Sequence, residues 1–265
     1  MTRIAIAGAA GRMGRSLVLA CQEADDLELT QAIDHAESSA LGSDSGILAG
    51  IPANGVTVKS ELNPDAFDLL VDFTHPIATT KHVDYCCEYG KKIVIGTTGA
   101  DKVLQEKIRT AGDTIAILYA HNMSVGVNLC LKLLRSAAAV LGDDVDIEII
   151  EAHHRHKVDA PSGTALTMGK VIAETLGRDL NECAVYGREG QTGDRDPKTI
   201  GFETIRAGDI VGEHTVMFAS EGERIEITHR CSNRMNFAYG AVRASRWLAD
   251  RDRGYFTMQD ALGLS

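Results

Sequence analysis

Apolar residues along this chain follow two different rhythms. Up to about residue 120 they come in short continuous runs: Arg3 to Ala7, Leu27 to Ile33, Asp68 to Phe73, Lys92 to Ile95 and Ile115 to Tyr119. Runs of this length without polar alternation predict strands buried on both faces. Between them, Arg15 to Glu23, Ala78 to Tyr89 and Asp101 to Gly112 read as helices. Strands that alternate with helices predict a parallel, doubly wound sheet. A helix over Val125 to Leu141 then leaves the sheet, and Asp144 to Glu151 alternates polar and apolar residues, the mark of a strand with one wet face.

From there the expected architecture is α+β. Ser162 is a candidate N-cap for a helix over Gly163 to Leu176. A charged, glycine-bearing loop follows from Arg188 to Pro197. Strands are expected at Thr199 to Arg206, Ile210 to Phe218 and Arg224 to His229, joined by short turns at Ala207-Gly208-Asp209 and Glu221-Gly222-Glu223. Tight turns predict antiparallel neighbours. The open face of such a sheet calls for cover, and oligomerisation is the simplest cover. A last helix, Phe237 to Asp250, carries the only tryptophan, Trp247, and is expected to pack back on the first domain.

The turn after the first strand adds chemistry to this frame. Gly8-Ala9-Ala10-Gly11-Arg12-Met13-Gly14 stands between a strand and a helix, spaced GxxGxxG. Gly8 permits the tight turn, Gly11 lets a pyrophosphate approach the backbone, and Gly14 lets helix and strand close up. The second strand ends at Asp34, about 20 residues beyond, where a ribose-binding carboxylate belongs. Together these predict a Rossmann-type dinucleotide site formed by Gly8, Ala9, Ala10, Gly11, Arg12, Met13, Asp34 and His35. Ligands bind at the carboxyl ends of parallel strands. Gly96, Thr97 and Thr98, with Ala120, His121, Asn122 and Met123, are therefore expected at the nicotinamide end. The polar segment from Ala36 to Gly55 reads as a loop over the cofactor or the subunit edge. A carboxylate at 34 favours NADH because it repels a 2′-phosphate, while His35 when protonated, and Arg12, partly offset that, so both NADH and NADPH are expected to serve, with no strong preference for NADPH.

Composition narrows the partners. The 265 residues fit one large or two modest domains, and 44% hydrophobic residues is ordinary for a globular protein. A net charge of -10 and a pI of about 5.4 argue against nucleic acid. No apolar run approaches the roughly 20 residues of a membrane span, and the N-terminus lacks a signal peptide's apolar core. Six cysteines form no CxxC motif, which points to reduced thiols and a cytoplasmic setting.

Against that acidic background, His153-His154-Arg155-His156-Lys157 is a block of potential cations, followed by Asp159-Ala160-Pro161-Ser162-Gly163-Thr164 at a helix start. A basic run is most often a solvated loop, but this one ends a strand, where a rigid scaffold carries sites. Histidine and lysine supply protons near neutral pH, and the helix start offers N–H groups to an anion. The run predicts a site that holds a carboxylate and protonates a neighbouring atom. Zinc is the weaker reading: strand alternation splays adjacent histidines, and no cysteine or HExxH spacing accompanies them. No metal is expected.

These motifs resemble the dihydrodipicolinate reductase (4-hydroxy-tetrahydrodipicolinate reductase) family nearly end to end. The resemblance rests on Gly8 to Gly14, Asp72-Phe73-Thr74, Gly96 to Gly99, Asn122 to Asn128 and above all Glu151 to Ala165. It implies reduction of a cyclic unsaturated dicarboxylate by NADH or NADPH in lysine and diaminopimelate biosynthesis. It implies His153 and Lys157 as proton donors, and His154, Gly163 and Thr164 as substrate-carboxylate ligands. It also implies a homotetramer assembled through the second domain's sheet. His35 stands where many relatives carry arginine. The expected layout is a dinucleotide-binding domain (1–124), a substrate-binding and oligomerisation domain (125–233) and a C-terminal segment (234–265) returning to the first. A dehydrogenase acting on an amino or semialdehyde substrate would instead need a catalytic cysteine, and Cys183 and Cys231 lack a partner in sequence. A nucleotide-sensing regulator would need a basic DNA-binding helix, and none is present.

Overall fold

A computed structural model describes residues 1–264. In chain order it runs β1 (Thr2–Ala7), α1 (Arg12–Gln22), β2 (Leu27–Ile33), α2 (Ser45–Ala49), β3 (Val58–Lys59), β4 (Leu69–Asp72), α3 (Pro76–Tyr89), β5 (Lys92–Ile95), α4 (Lys102–Ala111), β6 (Ala116–Tyr119) and α5 (Val125–Leu141). It continues with β7 (Asp146–His153), α6 (Gly163–Thr175), α7 (Leu180–Cys183), β8 (Ala184–Tyr186), β9 (Ile200–Arg206), β10 (Gly212–Ser220), β11 (Glu223–Cys231), α8 (Met235–Ala249), β12 (Gly254–Phe256) and α9 (Met258–Ala261). The chain divides into two compact units. One comprises residues 1–125 and the segment from Arg234 onward; the other is Gly126–Asn233.

The first unit is built on a seven-stranded parallel sheet in the order β12-β6-β5-β4-β1-β2-β3. Ile4, Ile6, Leu69, Leu70, Ile93, Val94, Ile117 and Leu118 are fully or almost fully buried, because helices cover both faces. Strand order reverses between β1 and β4, so their carboxyl ends face the crevice where such sheets bind ligands. In this unit the short elements α2, β3, β12 and α9 were not legible in the apolar pattern. The C-terminal segment adds β12 beside β6, in register Gly254↔Ala116 to Phe256↔Leu118. The segment from Ala36 to Gly55, expected as an open loop, instead holds α2. Asp44 caps it, accepting from the N–H groups of Gly46, Ile47, Asn54 and Gly55.

The second unit carries a five-stranded mixed sheet in the order β11-β10-β7-β9-β8. The apolar face (Ile147, Ile149, Phe202, Val216, Phe218) packs on Leu134, Ala138, Met168 and Ile172 of α5 and α6. Gly169 permits close approach there: a Cβ would meet the Phe202 ring at 2.5 Å. Glu148, Ile150, Thr215, Met217 and Thr228 lie on the opposite face, partly or fully exposed. β10 and β11 form the expected antiparallel hairpin. β9, however, does not lie next to β10. It pairs parallel with β7, and β7 separates the two. The turn after β9 crosses the end of β7, where the Ala207 N–H donates to the His153 carbonyl and the Arg155 N–H to the Gly208 carbonyl. Pairing to β7 buries Ile200 and Phe202 against the helices, which an edge hairpin would not do.

Candidate functional site

In the first unit, β1 delivers the chain into Gly8, whose φ of +70° only glycine adopts freely. The loop folds back tightly on α1: a Cβ on Gly14 would lie 2.1 Å from the Gly8 carbonyl oxygen and 2.6 Å from the Ala9 Cα. Gly11 stands at the N-cap without a side-chain cap, so the first turn of α1 presents backbone N–H groups. Asp34, at the end of β2, accepts from the Ala10 N–H at 2.9 Å and the His35 N–H at 2.8 Å. The carboxylate is thereby fixed against the glycine loop, with the His35 side chain 70% exposed beside it. This arrangement fits a dinucleotide: a bare helix start for phosphate, an acid for ribose, and glycines that side chains could not replace.

One cleft collects Arg12 and Met13 from the start of α1 with Gly96, Thr97, Thr98, His121, Asn122 and Met123 from the loops after β5 and β6. It also adds Phe73, Thr74, Arg234 and Phe237, which the sequence reading did not assign. Ala120 lies next to the cleft but turns its N–H to the Ile95 carbonyl. A buried network supports the cleft floor. Asp72 accepts from the Thr74 hydroxyl at 2.6 Å and faces His82 Nδ1 at 2.9 Å, and Thr97 bonds the Thr74 N–H and the Thr79 hydroxyl. Burial pulls the Asp72 carboxyl upward, yet His82 and the threonine hydroxyls hold it below the usual carboxylate range. Gly96 is required by its neighbour, since a Cβ there would lie 2.3 Å from the Phe73 ring.

In the second unit, alternation along β7 puts Glu151 and His153 on the helix-covered face with Ile147 and Ile149. Glu151, 1% exposed, bonds His153 Nδ1 at 2.6 Å, both Arg206 terminal nitrogens at 2.8 Å and the Ser162 N–H at 3.0 Å. Burial raises the Glu151 carboxyl, but Arg206 and His153 outweigh it and the net direction is down. Burial lowers His153, and the Glu151 charge opposes part of that. His214 on β10 meets the His153 ring edge-on at 5.1 Å and bonds Ser162 Oγ at 2.8 Å. Its buried Nδ1 has no hydrogen-bond partner among the described residues, and burial pushes its pKa down to about 4.

The rest of the basic run lies nearer the surface. Lys157 Nζ bonds both oxygens of Asp159. The His154 and His156 rings stand 6.2 Å apart, and His154 Nδ1 is buried without a hydrogen-bond partner among the described residues. Ser162 caps α6 by accepting the Ala165 N–H, and Gly163 and Thr164 open the helix, with clear space around Gly163. Among the described residues no three His, Cys, Asp or Glu side chains gather as a metal requires. No disulfide joins the cysteines among the described residues, and burial raises the Cys183 thiol, which works against a thiolate nucleophile.

Comparison with known proteins places the chain. The family described as "Dihydrodipicolinate reductase, N-terminus" matches residues 2–123, and "Dihydrodipicolinate reductase, C-terminus" matches residues 126–262. Among solved structures, the dipicolinate-bound dihydrodipicolinate reductase from Paenisporosarcina sp. TG-14 is 26% identical, with 98% of each chain covered and a TM-score of 0.77. Two others share only the fold. An amine dehydrogenase from Mycobacterium smegmatis is 10% identical, covering 97% of this chain and 95% of its own, with a TM-score of 0.58. Aspartate dehydrogenase from Thermotoga maritima is 16% identical, covering 95% and 98%, with a TM-score of 0.50.

Proposed function

Because this chain belongs to the dihydrodipicolinate reductase family, we propose that its two units carry separate halves of one reduction. The enzyme converts 4-hydroxy-tetrahydrodipicolinate to tetrahydrodipicolinate, in lysine and diaminopimelate biosynthesis, with NADH or NADPH. The bound nicotinamide nucleotide supplies the hydride. In our reading residues 1–124 hold it and residues 234–265 complete that unit, while residues 125–233 bind substrate and make the subunit contacts.

The backbone of Gly8 to Met13 at the start of α1 receives the pyrophosphate. Asp34 accepts from a ribose hydroxyl, with His35 beside it, and Gly96, Thr97, Thr98 and Ala120 to Met123 flank the nicotinamide. The exposed Arg12, and His35 when protonated, partly offset the repulsion between Asp34 and a 2′-phosphate, so both cofactors serve with no strong preference for NADPH. His154, with Gly163 and Thr164 at the N-terminus of α6, binds the substrate's carboxylates. Hydride addition to a conjugated imine leaves negative charge at the far end of the π-system, and His153 and Lys157 quench it with a proton. The dipicolinate bound to the Paenisporosarcina relative is a cyclic dicarboxylate of the same kind. The cationic run from His153 to Lys157 draws such a dianion to a protein of net charge -10.

The observation that carries this reading is the buried Glu151–His153 pair, 2.6 Å apart, whose carboxylate also bonds the N–H of the residue capping α6. An acid and an anion-binding helix start are thus held on one support. We further propose a cytoplasmic homotetramer, assembled through the exposed sheet face that carries Ile150, Met217 and Thr228. Among the described residues no helix is long and apolar enough to cross a membrane.

The test follows absorbance at 340 nm. Purified protein is mixed with NADH, or with NADPH, and the freshly formed condensation product of pyruvate and aspartate semialdehyde. Consumption of both cofactors at comparable kcat/KM is expected. Absence of turnover would end the reading, and a large preference for NADPH would remove the role given to Asp34. Light scattering on the same sample should return four times the mass of one chain.

A further inference from the structure

In the proposed function Glu151 serves only as the support that holds His153 and the start of α6; what its charge does to the histidine is a separate matter. Glu151 is held at both carboxylate oxygens. Oε1 accepts from the Ser162 N–H at 3.0 Å and Arg206 Nη2 at 2.8 Å. Oε2 accepts from Arg206 Nη1 at 2.8 Å and faces His153 Nδ1 at 2.6 Å. An ionised carboxylate can only accept, so the proton of that last bond sits on His153 Nδ1. The ring's other nitrogen, Nε2, faces bare backbone: a Cβ on Gly212 would come within 3.0 Å of it.

We propose that Glu151 is a positioning residue for the reduction: anchored by Arg206 and the Ser162 N–H, it fixes the tautomer and orientation of His153 so that Nε2 is the nitrogen that passes the proton. This rests on His153 being the proton donor. The groups around the ring are Glu151 on β7, Arg206 on β9, His214 on β10 and Lys157 in the turn, with His229 and Cys231 on β11 opposite His214 and Gly212. Glu151 favours the imidazolium, whereas burial, Lys157 and Arg206 oppose it. His214 stays neutral, because burial and the neighbouring His153 both disfavour a second charge. The pair has the logic of a histidine whose far nitrogen is held by a buried acid, so that its near nitrogen works in one defined state.

Two substitutions of opposite sign test this. Glu151→Gln removes the anion: kcat should fall about 100-fold, and the limb on which kcat/KM declines with rising pH should move about 1 unit lower. Arg206→Met removes a cation and should move the same limb higher. Loss of packing alone would not displace a pH limb in two directions. The double variant Glu151→Gln/Arg206→Met restores electrical balance in the buried site, and it should fold and keep the low kcat even where Glu151→Gln alone does not fold. Nitrogen-15 NMR of the neutral His153 ring in the unmodified protein should place the proton on Nδ1. A proton on Nε2, a limb that stays in place, or the same displacement in both variants would overturn the role of Glu151. A different result separates the reading beneath it: full kcat in His153→Gln removes His153 as the donor, whereas a dead His153→Gln with unmoved limbs removes only Glu151.

Discussion

Lys157 Nζ lies 2.7 and 2.8 Å from the two carboxylate oxygens of Asp159, so in the free protein this cation is already paired. Asp159 is 57% exposed, and Lys157 holds its carboxyl below the usual range. An exposed pair of this kind is worth about 0–1 kcal/mol, little enough for a substrate carboxylate to displace it. Asp159→Asn should therefore lower the substrate KM by less than about tenfold, with cofactor affinity unchanged. A raised KM in steady-state assays would show that Asp159 helps to hold substrate rather than competing with it.

His153→Ala and Lys157→Ala each remove a proposed donor that contacts substrate, not nucleotide. Each should lower kcat by about 10² to 10⁴-fold, while NADH binding, followed by quenching of the Trp247 fluorescence or by calorimetry, barely moves. Undiminished kcat in both variants would leave the reduction without its acid.

Gly14→Ala tests the nucleotide loop. The added Cβ would sit 2.1 Å from the Gly8 carbonyl oxygen, a backbone atom that cannot step aside. Overpacking of this kind costs about 1–3 kcal/mol, and the loop it displaces is the one assigned to the pyrophosphate. Thermal melts should show a lower Tm, and Kd for NADH should rise by more than tenfold. Equal loss of affinity for the dicarboxylate and the nucleotide would point to general unfolding instead.

His214 makes folding pH-dependent. Burial lowers its folded pKa to about 4, against roughly 6.5 in an unfolded chain. Between these values the unfolded chain binds a proton that the folded chain refuses, so stability falls as pH drops through that window, by about 3 kcal/mol once it is crossed. His153 and His229 are shifted in the same direction. Urea midpoints at pH 7 and pH 5 should separate clearly, and His214→Asn should narrow the gap. An unchanged gap would mean that His214 takes up its proton without cost.

Much of the fold was legible from short-range signals. The alternation of buried runs and helices up to Tyr119 describes the parallel sheet, and Gly8, Gly11 and Gly14 announce the turn where it reverses. Where reading along the chain failed, the missing information was long-range. β12 is three residues long, too short for any periodicity, and exists as a strand because β6 offers it an edge. β9 carries the apolar marks of a hairpin partner but joins β7, because burial of Ile200 and Phe202 against α6 outweighs the nearness of the turn. In the cleft that we assign to the nucleotide, no spacing rule points to Arg234 and Phe237, which arrive from the far end of the chain.

The sequence alone determined the chemistry on offer: glycines where backbone must approach phosphate, an acid at the end of β2, and a cluster of histidines and a lysine at a helix start. Those are local properties, set by residue type and by spacing within one turn or strand. Only the tertiary structure decided which of the cations is held and by what. Glu151 meets Arg206 across 55 positions, and Ser162 meets His214 across 52. Burial and pairing over such separations depend on strand order, and strand order is settled by how the whole sheet covers its apolar face.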